Sequence, residues 1–287
     1  MSEADQPLAG EAQSMAGGSS DLRPRLIAGI VMGLSAIALA WAGLAAFGVL
    51  VLVATLLMCW EWGRVVRGTD FGAAFFVHAS AVAVAVVLSA AGYPALGLAA
   101  IVIGFVVLLV MPFGDRRMMS AAGALYVGLP AVAILWLRGD EPLGFVAIVF
   151  IFAVVWGSDI GAFAAGRGIG GPKLWPRVSP KKTWSGFIGG LSAGLIGGAL
   201  MALAVPGASP VALGMTGLAL ALVAQMGDLA ESALKRRFGV KDSSTIIPGH
   251  GGVMDRADST VAVSVVVAIL ALLVDPASPA RALLIGG

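Results

Sequence analysis

The chain has 287 residues, 59% of them hydrophobic and only 12% charged, with a formal net charge of +2. Soluble domains carry roughly a quarter charged residues, so a water-soluble fold and a disordered chain are both excluded, and a polytopic membrane protein is expected. A single cysteine, Cys59, rules out an internal disulfide, and with only two histidines the chain lacks the ligands of a zinc or haem centre; any metal should be a hard ion held by oxygen.

Residues 1–22 carry Glu3, Asp5, Glu11 and Asp21 among Ser, Gly and Ala, without apolar periodicity, and are expected to form a disordered cytoplasmic tail. Apolar runs begin after Arg23 and Arg25. A helix needs about 20 residues to cross the hydrocarbon core, and nine runs qualify: 26–42, 44–60, 71–91, 94–112, 119–137, 143–165, 184–205, 210–228 and 258–274. They are apolar all round with no strand alternation, so the predicted fold is all-α, not a barrel. Ala38 and Ala40 resemble a signal-peptide cleavage pattern, but the leader is long and acidic and the apolar stretch runs straight into the next span.

Charge checks the count. Nine spans with a cytoplasmic N-terminus place 16 of the 18 Lys and Arg residues inside, leaving only Arg138 and Arg281 outside. The division expected is 23–140 as N-terminal membrane helices and 141–287 as a catalytic region, with long cytoplasmic loops at 166–183 and 229–257. Those loops hold most of the later charges, so function is expected there.

Four constellations could carry chemistry. At the end of the eighth span Asp228, Glu231, Ser232 and Lys235 fall on one stripe if the helix continues past the membrane face. Asp228 sits at the boundary beside Gly227, where a carboxylate is costly unless paired with a cation; Mg²⁺ is the favoured partner. Next, Lys241-Asp242 leads to Pro248-Gly249-His250-Gly251-Gly252, whose glycines could expose successive N–H groups to phosphate. Asp255 and Asp258 follow at i, i+3, flanking Arg256; a helix cap explains Asp258 or Ser259 but not both carboxylates. The third is Ser179-Pro-Lys181-Lys182-Thr183-Trp184, paired lysines at a helix start that serve topology, anionic lipid or substrate. The fourth is Asp159 inside the sixth span, a functional acid or half of a structural pair with Arg167 or a lysine.

Other signals carry less. Gly166 to Gly171 spells G-x-G-x-x-G without a preceding strand, so a dinucleotide fold is refused. Gly186, Gly190, Gly194 and Gly198 repeat every fourth residue and predict close helix packing. His78 is expected to be a packed, hydrogen-bonded core histidine.

The run Ser232-x-Leu234-Lys235-Arg236-x4-Lys241-Asp242 … Pro248-x-His250-Gly251-Gly252-x-x-Asp255-Arg256-x-Asp258 resembles the signature of the phosphatidate cytidylyltransferases (CDP-diacylglycerol synthases). Ser179 to Trp184 is similar to a second motif of that family, and Asp159 with Gly161 to a third, so the likeness covers roughly residues 155–260. Ala257, Ser244 and Ser185 depart from the usual larger apolar residue, Gly and Glu.

The resemblance implies transfer of a cytidylyl group from CTP to phosphatidic acid, a homodimer, and a divalent metal, Mg²⁺, with a second ion, divalent or K⁺, left open. Under it Asp228 and Asp255 hold the metal and Asp258 is a further ligand or anchor. Lys235, Arg236 and Arg256 bind phosphates, with Ser232, Lys241 and Asp242 beside them. His250, Gly251 and Gly252 cradle the triphosphate. Ser179, Lys181, Lys182 and Thr183 hold the lipid phosphate or the nucleotide. The site would face the cytoplasm of a bacterial inner membrane, with membrane lipid around it and no nucleic acid involved. The alternatives are a secondary transporter, against which the crowding of polar groups at one face argues, and another lipid-phosphate transferase, whose D-G-x2-A-R run is missing from the sequence.

Overall fold

A computed structural model describes residues 22–114, 116–247 and 251–286. The predicted tail lies outside them except for Leu22. The helices are α1 (Leu22–Trp41), α2 (Leu44–Trp62, running into a π-helical turn Gly63–Arg67), α3 (Ala73–Ala90), α4 (Pro94–Val110), α5 (Arg117–Arg138), α6 (Gly144–Gly168), α7 (Trp184–Met201), α8 (Pro210–Arg237), α9 (Met254–Val274) and the short α10 (Pro279–Leu284). The chain is an integral membrane protein, and seven helical stretches among the described residues are long and apolar enough to cross a bilayer. The first and fourth predicted spans fall on shorter apolar helices, Ile27–Trp41 and Pro94–Val110. The second of these is stopped by Met111-Pro112, because the residue before a proline is driven out of the helical region.

The core lies among α2, α5, α6 and α9, where Phe47, Leu135, Phe150, Ile151, Met254 and Val263 are fully buried. Large apolar side chains such as Ile103, Leu203 and Leu273 stay exposed on the outside of the bundle, as a lipid-facing surface requires. Arg138, one of the two basic residues predicted on the outer side, is buried: its Nε donates to the Ala40 carbonyl at 2.7 Å and its guanidinium pairs with Glu141 at 2.5 Å. His78 is buried as expected, with the Gly123 backbone as its hydrogen-bond neighbour, although neither ring nitrogen makes a well-aligned bond among the described residues.

One departure from an all-α chain is a two-stranded antiparallel hairpin, β1 (Lys173–Trp175) with β2 (Ser179–Thr183), built from the loop predicted at 166–183. Gly170 and Gly171 take positive φ and turn the chain off α6 into it. Thr183 then caps α7, its hydroxyl accepting from Gly186 N–H at 3.1 Å, and Ser185 donates to the Gly170 carbonyl. Ser185 therefore pins the hairpin to the start of α7.

The glycine repeat does what its spacing predicts. Gly186, Gly190, Gly194 and Gly198 are all buried, and α7 is pressed between two neighbours. A Cβ on Gly189 would lie 2.8 Å from the Gly161 carbonyl of α6; one on Gly194 would lie 2.8 Å from the Gly217 carbonyl of α8 and strike Ala221. Gly194→Leu has no room to relax into. It is expected to destabilise the bundle by about 1–3 kcal/mol or more, read as a lowered thermal midpoint in detergent, whereas Gly207→Ala in the α7–α8 loop, with open space but positive φ, should cost less.

Candidate active site

The three-helix sandwich α6–α7–α8 opens at one end into a cavity of about 410 Å³, lined by Asp159, Arg167, Lys181, Lys182, Thr183 and Asp228 among others. Asp159 comes from α6, the lysines from the end of β2, and Asp228 from α8. Lys182 Nζ lies 2.7 Å from Asp228 Oδ2, and Ser232 Oγ donates to Asp228 Oδ1 at 3.3 Å. Asp159, Asp228 and Asp258 are close enough to feel one another's charge, and the cations within reach of Asp159 are Lys182 and Arg256. Arg167 instead sits over the Phe163 ring, 5.9 Å from its centroid.

Helix α8 has 28 residues, about 42 Å against a hydrocarbon core of about 30 Å, so the stripe predicted past the membrane face is helical. It ends in a Schellman turn: Gly239 takes φ +72°, Gly239 N–H donates to the Arg236 carbonyl and Val240 N–H to the Lys235 carbonyl. Close approach of α8 to α9 depends on Gly227, whose Cβ would lie 2.6 Å from Ala262 Cβ and 3.0 Å from the Asp258 carbonyl. That crossing sets Asp258 beside Asp228.

Two helical turns beyond Asp228, Lys235 reaches across to α9. Its Nζ lies 2.5 Å from Asp255 Oδ1 and 3.3 Å from Glu231 Oε1. Asp255 also accepts from Ser243 N–H, at 3.0 Å to Oδ2, and from Gly252 N–H at 2.8 Å. Glu231 is buried, and neither of its oxygens has a well-aligned hydrogen bond among the described residues.

Sequence reasoning missed Glu61, in the last turn of α2. It is fully buried. Oε1 accepts from Ser244 Oγ at 2.6 Å and from Val253 N–H at 2.9 Å; Oε2 accepts from Met254 N–H at 2.6 Å. α9 starts at Met254, a turn earlier than predicted, and has no capping side chain of its own. Two of its unpaired N–H groups are taken by this carboxylate from α2. Asp258 and Ser259 are thus inside the helix and are not its cap; Ser259 Oγ donates to the Ala224 carbonyl at 3.1 Å and ties α9 to α8.

The structure places Asp159, Lys181, Lys182, Thr183 and Asp228 on the cavity, with Ser232 bonded to Asp228; Lys235 and Asp255 form a second cluster with Glu231 off the cavity lining, and Asp258 lies near Asp228 and Glu231. Arg236, Lys241, Asp242 and Arg256 are exposed at the same end of the bundle, and Ser179 opens β2 away from the cavity lining. His250 lies outside the described residues. Of the N–H groups expected to cradle phosphate, that of Gly252 is committed to Asp255, and the next two residues donate to Glu61. Gly251, at φ +83°, serves the tight turn, and a Cβ there would lie 2.7 Å from Asp255 Oδ2.

Among the described residues no three acidic or imidazole side chains converge into a finished metal sphere. The donor chemistry nevertheless fits a hard divalent ion. Asp159, Asp228, Glu231, Asp255 and Asp258 lie round two paired lysines, and the buried Glu231 carboxyl has only the Lys235 ammonium at 3.3 Å and no well-aligned hydrogen bond among the described residues. Mg²⁺ commonly takes one or two carboxylates and completes its shell with phosphate and water, which this half-built arrangement allows.

The sequence model of the Cytidylyltransferase family matches residues 23–274. A phosphatidate cytidylyltransferase of Brucella suis biovar 1 (strain 1330) is 43% identical over 246 residues, covering 85% of this chain and 90% of that protein. The chain belongs to this cytidylyltransferase family. More distant members match a shorter stretch: the phosphatidate cytidylyltransferase of Bacillus subtilis (strain 168) is 40% identical over 137 residues, 47% of this chain and 51% of its own, and that of Staphylococcus saprophyticus is 44% identical over 137 residues with the same coverage.

Proposed function

We propose that this protein transfers the cytidylyl group of CTP to phosphatidic acid, giving CDP-diacylglycerol and pyrophosphate, at the cytoplasmic face of a bacterial inner membrane. The observation that carries this reading is the presence of the Lys182–Asp228 and Lys235–Asp255 pairs at one end of the bundle, the first on a cavity also lined by Asp159, Arg167 and Lys181, in a chain of this family. Nine crossings with the N-terminus inside, and a homodimer, belong to the same reading; the bias of basic residues supports the orientation.

The lipid phosphate is already anionic, so it needs no strong base. Its oxygen attacks the α-phosphorus of CTP, and the bond from that phosphorus to the bridging oxygen of the β-phosphate breaks, releasing pyrophosphate. The task of the protein is to hold two anions together and to steady the charge that leaves. Lys181 and Lys182 at the cavity rim neutralise one phosphate, while Arg236, Lys241 and Arg256 offer exposed cations to the other. Lys235, held by Asp255 and Glu231, keeps a fixed positive charge at the inner edge. Asp228 and Asp255 are the residues that would hold Mg²⁺, with Asp258 beside them; the ion would supply charge neutralisation at the triphosphate. Asp159 sets the polarity of the cavity floor.

Purified protein given cytidine-labelled CTP, phosphatidic acid and Mg²⁺ should place label in the lipid extract, and leaving out any one of the three should stop it. Active-folded protein that yields no lipid label overturns the proposal. Arg236→Ala is expected to raise the KM for one phosphate substrate by about 10-fold, the scale of one charge-assisted contact, with kcat changed less; unchanged KM for both substrates would remove Arg236 from the binding surface.

A further inference from the structure

We infer that Glu61 is a positioning residue of this active site: its buried carboxylate, supplied by the N-terminal half of the chain, holds the turn before α9 in the arrangement that presents Asp255 to Lys235. The inference rests on the proposed reaction for its kinetic readout and on the geometry alone for its structural one.

Two carboxylates share the turn in alternation. Ser243 N–H goes to Asp255, and the Ser244 hydroxyl goes to Glu61. On the other side of the turn Gly252 N–H goes to Asp255, and Val253 and Met254 N–H go to Glu61. Neither carboxylate can move without dragging residues that serve the other. The fit is tight at Gly252, where a Cβ would strike both Ser243 Oγ and the Glu61 carboxylate. Ser243 and Glu61 together leave no room for a side chain at that position.

A helix start could be capped far more simply by a serine or aspartate of its own. Sending a carboxylate from α2, some 190 positions earlier in the chain, ties the helix start to a rigid body it does not belong to. A buried charge is a poor device for stability alone, since well-packed apolar residues of similar volume often do as well or better. What it does provide is a fixed register for both ends of the turn, set by directional charge-assisted bonds. Glu61 and Asp255 both lie off the cavity lining, and Glu61 acts through the turn that it shares with Asp255. Its loss should lower kcat and leave substrate affinities nearly alone.

The test uses Glu61→Gln, which keeps the shape and an acceptor for Ser244 and Val253 but sets an amide N–H against Met254 N–H. It should lower kcat by about 10-fold or more, the scale of one hydrogen bond to a charged group, with KM for CTP and phosphatidic acid within about 2-fold of wild type on the same grounds. Ser244→Ala, a milder change, should lower kcat in the wild type and add nothing in a Glu61→Ala background. Amide exchange in the 251–256 segment should speed up in Glu61→Gln while the rest of the bundle is unchanged. Wild-type kcat in Glu61→Gln, a loss confined to KM, or additive Ser244 and Glu61 effects would overturn the inference. If the wild type forms no lipid-linked cytidine, the reaction is wrong, and the exchange measurement still decides on Glu61: unaltered exchange at 251–256 sinks it.

Discussion

Asp255→Asn is expected to lower cytidylyl transfer by at least about 100-fold, the loss typical of removing a group that fixes charge in a reacting site, without loss of expression. The asparagine keeps the size and one acceptor for Gly252 or Ser243 N–H, so the turn survives. It loses the charge that Lys235 approaches at 2.5 Å and one of the two carboxylates assigned to Mg²⁺. Raising Mg²⁺ should not restore the rate. Full turnover in this variant, measured as lipid-extractable cytidine against Mg²⁺ concentration, would exclude Asp255 from both roles.

Lys235→Met should damage both the rate and the fold. The lysine side chain is 11% exposed and faces two acids, Glu231 with no exposed side-chain surface and Asp255 with 4%. Methionine fills nearly the same space, so packing is kept and the charge alone is removed. Asp255 is then left with its backbone N–H donors alone and Glu231 with no cation, a change that costs about 3–5 kcal/mol when one partner of a buried pair is lost. The thermal midpoint in detergent should fall clearly, and the fall should shrink in Lys235→Met/Glu231→Gln, where one of the stranded charges is removed as well. A midpoint equal to wild type would mean that the acids do not depend on Lys235.

How much of this was legible in the sequence follows from how local each signal is. The glycine repeat of α7 is a period of four on one helix, and its consequence, close packing on α6 and α8, follows from that period alone. The stripe Asp228, Ser232, Lys235 is likewise helical spacing, and the helix does run on through Arg237. Asp255 and Lys235 stood out because carboxylates and lysines are scarce in so apolar a chain. Glu61 obeys the same logic as Asp228, a lone acid at the end of an apolar run, but its partners lie in the second half of the chain. With the early helices read for hydropathy alone, that local signal was passed over. The same non-local cap explains why α9 starts at Met254: residues 250–254 contain no Ser, Thr, Asp or Asn to announce a helix.

Gly251 and Gly252 suit a phosphate nest by composition, and among the described residues both positions are also crowded by the protein's own carboxylates, with Gly252 N–H committed to Asp255. The hairpin was hidden for another reason. Lys173-Leu-Trp and Ser179 to Thr183 are too short and too polar to display an alternation, and only the Gly170-Gly171 pair hints at a turn.

The most direct measurement of the account is the fate of each phosphate of CTP. With purified protein, phosphatidic acid and Mg²⁺, CTP labelled at the α-phosphate should send its label into the lipid extract, and CTP labelled at the γ-phosphate should release all of its label as pyrophosphate in the aqueous phase. Label from the γ-position in lipid, or α-label that stays in water while CTP is consumed, would contradict attack by the lipid phosphate at the α-phosphorus and with it the site built here around Lys182, Asp228, Lys235 and Asp255.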